Sequence, residues 1–378
     1  MRVLIVHNQL WAHYKSKLFS ELHKIAPQYG IQIHVAQIAL SESSRANMGE
    51  AEAFRYDYDY EVLFQKSLDE ISVWDRTKAL LIKIRAYRPD VLNLTGWYDP
   101  AQLVLLFYAK LTGIKVIISN ESNVRDHARQ GLKEQVKKRL LKMAHGFFCF
   151  GSSSAQYLQL LGVKPSQIFT QKAAIVDNDT ILKQYEATIP TREERKKEKN
   201  WARYNFIFVG RLIPPKNLPF LLEAFAKISA ETPDWGLVFL GEGQQKAHLQ
   251  QISQSIKNIY FEKGVAWYEV SQHLALADVL VLPSHSEPWG LVVNEAMICG
   301  LPVLVSEPSG CVDDLVKNGV NGFAFDPNDT EDLLEKMRFF INNPQRLPQM
   351  GEASQELVAS FEPQKVAHEM LTGIAHLR

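Results

Sequence analysis

The chain has 378 residues, 46% hydrophobic and 22% charged, and its 42 Lys+Arg exactly offset 42 Asp+Glu. That balance gives nucleic acid no global field to follow, and the composition is too apolar and too poor in Gly and Pro for a disordered or fibrous chain. The length suits about two domains with real cores, while three cysteines (Cys149, Cys299, Cys311) without C-x-x-C spacing exclude a disulfide framework or zinc knuckle and point to a reduced, cytoplasmic protein.

The apolar run Arg2–Val6 is too short for a signal peptide, and no stretch reaches the ~18 apolar residues of a membrane span, so the run reads as a first buried strand. Further strands are expected at 31–37, 91–94, 116–118 and 147–150. In the second half they are expected at 206–209, 236–240, 259–261, 279–282, 303–305 and 323–325. Several are apolar throughout, as strands covered on both faces must be, and the gaps between them are long enough for helices. The pattern predicts an α/β protein of two doubly wound, Rossmann-like parallel-sheet domains facing across a cleft. The strand rhythm fails over 177–201, where the mixed-charge run 192–199 reads as solvated linker or helix surface rather than as a binding site. The expected domains are therefore 1–176 and 202–362.

The richest stretch is 279–300, VLVLPSHSEPWGLVVNEAMICG. A strand ends at Pro283, a turn carries Glu287, and a helix is expected from about Gly290, with Glu295 in its early turns. The amides of Gly290, Leu291 and Val292 would be donors at a helix N-terminus, which suits an anion. Two carboxylates beside such an anion site suit a ligand that also carries hydroxyls, because carboxylates accept hydrogen bonds from hydroxyls. A nucleotide sugar has both features; the simpler reading is that the acids favour the helix dipole. A second cluster, 206–217, runs from a strand into Gly210, Arg211 and, past Pro214-Pro215, Lys216, two cations placed to suit a diphosphate. Gly241-Glu242-Gly243 follows the next strand without forming a G-x-G-x-x-G or Walker loop.

The runs GRL-x3-KN (210–217), LGEG (240–243), LPSHSEPWGLVVNEAMICGLPV (282–303) and NGVNGFAFDPND (318–329) resemble the retaining glycosyltransferases of family 4, which have a GT-B fold. The resemblance covers about 150 residues of the second half. It implies that Arg211 and Lys216 bind the donor diphosphate and that Glu287 takes the hydroxyls of the transferred sugar. Glu295 would hold the ribose, and the backbone at Gly290–Val292 would touch phosphate and sugar. It further implies a nucleotide-diphosphate sugar donor (UDP on frequency), no metal ion or other cofactor, an α-linked product, and a final helix over 363–378 that crosses back to the first domain. Glu287, Arg211 and Lys216 are then the catalytic set. Preorganised cations and helix amides would stabilise the charge that develops on the departing nucleotide diphosphate.

The first half departs from that family's pattern. His7-Asn-Gln-Leu-Trp-Ala-His-Tyr14 lacks the glycines common after the first strand, and Asn120, followed by Glu121, stands where many relatives place a functional histidine. Asn120 and Glu121, the latter with Asp126 or His127, are the candidate acceptor side, and Gly96-Trp97-Tyr98-Asp99 a second acceptor wall. His285 is a candidate donor contact; the other histidines show no metal-ligand spacing. The helix over Leu132–Met143 crowds Lys133, Lys137, Lys138, Arg139 and Lys142 opposite Leu132, Val136, Leu140 and Met143, a face that suits either a core or anionic lipid. A lipid-linked or saccharide hydroxyl acceptor follows from the resemblance. Alternative readings are a sugar phosphorylase, an epimerase or a nucleotide-sugar-binding partner subunit without turnover.

Overall fold

A computed structural model describes residues 1–10, 13–42, 57–96, 99–125 and 132–378, and within these the side chains of His13, Leu132 and Lys133 are not described. The chain divides into two compact units, Met1–Asp177 with Phe361–Arg378, and Asn178–Ser360.

In the first unit the chain runs β1 (Arg2–Gln9), α1 (His13–Ile25), β2 (Gln32–Ala39), β3 (Tyr60–Val62), α2 (Val73–Tyr87) and β4 (Val91–Leu94). It continues through α3 (Pro100–Thr112), β5 (Lys115–Asn120), α4 (Leu132–Leu141), β6 (Gly146–Cys149), α5 (Ser152–Leu160) and β7 (Ile168–Thr170). The seven strands form a parallel sheet in the order β3-β2-β1-β4-β5-β6-β7. Val3, Leu4, Ile5 and Val6 of β1 are all buried, because helices cover both faces of the sheet. Leu4 and Val6 share one face with Leu92 and Leu94 and meet Leu80 and Ile84 of α2, Leu105 and Ala109 of α3 and Leu158 of α5. Asp99 caps α3 by accepting from the Ala101 amide at 2.9 Å, and Gly113 ends the helix at φ 76°.

In the second unit, α6 (Asn178–Thr188) and α7 (Arg192–Glu198) precede β8 (Tyr204–Val209). Then come α8 (Leu218–Ser229), β9 (Trp235–Leu240), α9 (Lys246–Ile252), β10 (Ile259–Glu262), α10 (Val270–Leu274), β11 (Val279–Leu282) and α11 (Leu291–Ile298). The unit ends with β12 (Val303–Ser306), α12 (Val312–Leu315), β13 (Gly322–Phe325), α13 (Thr330–Asn342) and α14 (Leu347–Val358). Six parallel strands lie in the order β10-β9-β8-β11-β12-β13. The chain moves outward from β8 to β10 and returns to the other side of β8 at β11, so the order reverses between β8 and β11. The last helix, α15 (Pro363–Ala375), belongs to the first unit, where it packs on α1 and β7. There Thr170 donates to Glu369 at 2.7 Å.

Two sequence-based expectations change. Residues 178–201, expected as a linker, belong to the second unit: α6 packs on α10 and α11, and the charged run forms α7, with Glu193, Glu194, Lys197 and Glu198 exposed on its surface. Two of its cations turn inward because Asp278, directly before β11, collects Arg192 at 2.5 Å, Lys196 at 3.5 Å and the Asn205 amide at 2.8 Å. Lys196 is only 4% exposed and also donates to the Arg203 carbonyl. The helix expected over Leu132–Met143 ends at Leu141, and its apolar side divides: Leu141 is buried and Leu140 and Met143 pack against the same cluster, whereas Val136 stays 52% exposed. The short strands β3 and β7, three residues each and only partly buried, carry too weak an apolar pattern to be seen in the sequence.

Asp278→Ala would leave the Lys196 and Arg192 charges without their partner. We expect it to cost about 3–5 kcal/mol, read as a lower urea midpoint for the second unit, whereas a solvated linker would leave the midpoint within about 0.5 kcal/mol of wild type.

Candidate active site

The second unit gathers its chemistry where the strand order reverses, a position at which open α/β sheets hold ligands beyond the carboxyl ends of their strands. β8 ends in Gly210, whose amide donates to the Leu240 carbonyl at 3.0 Å, and the next turn keeps pace, with the Leu212 amide donating to Glu242 at 2.8 Å. This close approach explains the glycines of the LGEG run. A Cβ on Gly241 would lie 2.0 Å from the Gly210 carbonyl oxygen, and one on Gly243 would lie 2.4 Å from that of Leu212. Arg211 is exposed, with no carboxylate at ion-pair distance among the described residues. A 3-10 turn over Pro214–Lys216 then presents Lys216, and Asn217, at φ 54°, ties the turn to the Pro327 carbonyl at 2.9 Å before α8 begins.

From the adjacent strand, β11 leads through Pro283 and the fully buried Ser284 into the turn that carries Glu287. The turn is fixed on both sides. The His285 amide donates to the Pro215 carbonyl at 3.0 Å, the Gly310 amide donates to the Glu287 carbonyl at 3.0 Å, and the Ser306 hydroxyl donates to the Ser284 carbonyl at 2.6 Å. Buried Trp289 donates its indole N–H to Asn294 at 2.8 Å, clamping the turn onto the first turns of α11. Gly290 starts that helix at φ 98°, where a Cβ would lie 2.8 Å from Leu282 Cδ2. The amides of Leu291 and Val292 open the helix and have no intrahelical acceptor.

The Lys216 Nζ donates directly to Glu287 Oε2, a contact that joins the β8 and β11 turns. Their side chains are 17% and 14% exposed, so this pair is sheltered but still reachable from solvent. Glu295, in the second turn of α11, has no charged partner to offset its burial, which pushes its carboxyl up to about 8. At neutral pH it is therefore mostly protonated in the free protein. One turn on, the Cys299 thiol is pushed well up by burial and by Glu295.

Gly210, Arg211, Lys216, Glu287, Gly290, Leu291, Val292 and Glu295 thus lie on the two neighbouring turns and the helix that follows the second. The pairing of Lys216 with Glu287 was not foreseen, since the sequence reading gave one to phosphate and the other to sugar hydroxyls. The spacing of each turn was visible, but a contact across 71 residues leaves no local signal. The side chain of His285 is exposed, and its ordered contribution is the backbone bond to Pro215.

The first-unit candidates separate. Asn120 is 2% exposed, and its amide donates to the Ser122 carbonyl at 2.8 Å and the Ser154 hydroxyl at 2.7 Å, so it braces the end of β5 against α5. Glu121 is 39% exposed and pairs with the buried Lys15 at 3.2 Å; the Lys15 ammonium lies 4.3 Å from the Phe150 ring centroid. Beside them His7 is held neutral: burial first, then Lys15, lowers its imidazole to about 4, and its Nδ1 lies 2.9 Å from Gln37 Oε1. Trp97, Tyr98, Asp126 and His127 lie outside the described residues.

Residues 191–357 match the family model described as Glycosyl transferases group 1. A glycogen synthase of Mycobacterium tuberculosis is 31% identical over 294 residues, 75% of this chain and 68% of its own length. The sulfoquinovosyl transferase SQD2 of Arabidopsis thaliana is 33% identical over 158 residues, 41% of this chain and 30% of its own length. The match spans less than half the length of several such relatives, between 30% and 46%. Among solved structures, Anabaena HepE in complex with UDP superposes with a TM-score of 0.74 at 15% identity, over 100% of both chains. A cyanobacterial sucrose-phosphate synthase (Thermosynechococcus elongatus) superposes with a TM-score of 0.73 at 16% identity over 98% of this chain and 97% of its own. The two parallel-sheet units are those of the GT-B fold, and the chain belongs to the group 1 glycosyl transferases.

Proposed function

We propose that the protein is a retaining glycosyltransferase of family 4 that moves a hexose from a nucleotide diphosphate sugar, a UDP-sugar in the first instance, to a hydroxyl acceptor with an α-linked product. The observation that carries this reading is the Lys216–Glu287 pair at the strand reversal, flanked by Arg211 and by the opening amides of α11. Transfer breaks the bond between the anomeric carbon and the phosphate oxygen, and its electrons leave with the diphosphate. Positive charge develops on the sugar and negative charge on the leaving group.

Cations and amides already oriented at the diphosphate stabilise that charge without reorganising, an effect typically worth several kcal/mol. In this reading Arg211, Lys216 and the Leu291 and Val292 amides take the diphosphate, and they supply enough positive potential for the reaction to proceed without a metal ion. Lys216 exchanges part of its contact with Glu287 for a phosphate oxygen, which turns the Glu287 carboxylate toward the hydroxyls of the sugar. Glu295 takes the ribose diol as a carboxylate, and Glu121 borders the acceptor. The UDP complex of HepE and the nucleotide-sugar donors named for relatives, such as GDP-mannose for a mannosyltransferase of Mycolicibacterium smegmatis, support a nucleotide-linked donor.

Incubation with UDP-, GDP- and ADP-hexoses, following release of the nucleoside diphosphate, should show slow donor hydrolysis that EDTA does not affect. Glu287→Ala should lower that rate by about 100-fold or more with an unchanged circular dichroism spectrum. Wild-type turnover in this variant would remove Glu287 from the site, and donor binding without any release would favour a partner subunit lacking turnover. A second expectation concerns pH. Binding that requires ionised Glu295 must drive off the proton that the free protein holds below about pH 8, so affinity rises with pH up to that value and then levels. Calorimetry should find UDP binding close to tenfold tighter at pH 8.5 than at pH 7, with proton release, and both effects should vanish in Glu295→Gln.

A further inference from the structure

We propose that the outer face of α2 and α3 is a docking surface for an anionic lipid membrane. Of the eleven large hydrophobic residues exposed among the described residues, eight lie on α2, α3, α4 and α5, the helices that cover one face of the first sheet. They are concentrated on α2 and α3, where Trp74 is 74%, Ile82 58%, Phe107 52% and Leu111 86% exposed. The spacing is regular. Trp74, Lys78, Ile82 and Arg85 follow one another at i, i+4, i+8 and i+11 along α2, and Val104, Phe107 and Leu111 at i, i+3 and i+7 along α3, so each helix turns one stripe outward.

Charge identifies the occupant. The chain as a whole is neutral, yet these four helices carry nine Lys or Arg against two acids, a net charge of +7. Three of these cations are neutralised locally: Arg76 pairs with Asp99, Lys83 with Glu61 and Lys137 with Glu134. Lys78, Arg85, Lys110, Lys138 and Arg139 are exposed, with no ion-pair partner among the described residues. A second copy meeting this face across a two-fold axis would set like charge against like. Nucleic acid would answer the cations and leave Trp74, Phe107 and Leu111 unburied. A bilayer surface with anionic headgroups answers both: the aromatic and aliphatic side chains enter the headgroup boundary and the lysines and arginines reach phosphate. The surface is centred on α2 and α3 rather than on α4, which adds Val136 (52% exposed) and cations while Leu140 and Leu141 pack inward. Among the described residues no helix is long and apolar enough to cross a membrane, so this contact is peripheral.

The test is flotation of the full chain with phosphatidylcholine vesicles, with and without about 30% phosphatidylglycerol, in about 0.1 M and 0.5 M salt. The wild-type protein should float with the anionic vesicles in low salt and stay behind with the neutral ones. Phe107→Ser with Leu111→Ser, and separately Lys78→Glu with Lys110→Glu, should each reduce binding by about tenfold, while Val320→Ser in the second unit should not. Brominated lipid should quench tryptophan emission in the wild type, and less so in Trp74→Phe. Failure to float in low salt, equal binding to neutral vesicles, wild-type binding in both double variants, or a dimer that the same substitutions dissolve would overturn the proposal. Donor hydrolysis by the detached protein should be the same in both double variants, which separates this surface from the reaction site.

Discussion

The second unit is organised around one electrostatic contact. Lys216 and Glu287 arrive on turns from neighbouring strands, β8 and β11, whose register sets Phe206 beside Val279 and Ile207 beside Leu280. Each charge would be costly to shelter alone, and together they satisfy one another. In the proposed function, an arriving diphosphate would replace Glu287 as the counter-ion of Lys216, so that the lysine would never be left unpaired and the carboxylate would turn toward a group that donates hydrogen bonds.

Glu295 completes the electrostatics by being mostly neutral. With both glutamates ionised, two acids would cancel Arg211 and Lys216, and a doubly charged ligand would meet no net attraction. Because burial pushes the Glu295 carboxyl up to about 8, the four side chains carry a net positive charge at neutral pH, which would favour the doubly charged ligand of the proposed function. The close packing of the turns then matters for reach. Gly241 and Gly243 let the β9 turn lie against the backbone that carries Arg211, and Gly290 allows α11 to begin directly beneath Leu282. A side chain at any of these three positions would push the amides and cations apart.

Much of this was legible in the sequence because its signals are local. Apolar four-residue runs such as 279–282 mark strands covered on both faces, and a glycine directly before an apolar helix marks the start of α11. The eight donor-side candidates were proposed from such spacing and from the family resemblance, and the fold brings them onto two neighbouring turns and one helix. What escaped depends on contacts distant in sequence. Asp278 draws Arg192 and Lys196 inward from an otherwise exposed charged helix, a partnership across more than 80 residues that the hydrophilic run does not reveal. Asn120, placed by the resemblance at a functional position, is instead a buried brace whose two amide hydrogens go to Ser122 and Ser154, which its local sequence does not show. The apolar stripes of α2 and α3 resemble core positions by periodicity alone, and only the fold shows that other residues of those helices supply the core while Phe107 and Leu111 face outward.

The most direct measurement is a crystal structure of the protein with a bound UDP-hexose. The account predicts the diphosphate within hydrogen-bond reach of Lys216 Nζ and the opening amides of α11, the ribose hydroxyls on Glu295 and the hexose hydroxyls on Glu287. A nucleotide seated elsewhere, with Lys216 and Glu287 still closed on each other, would contradict it.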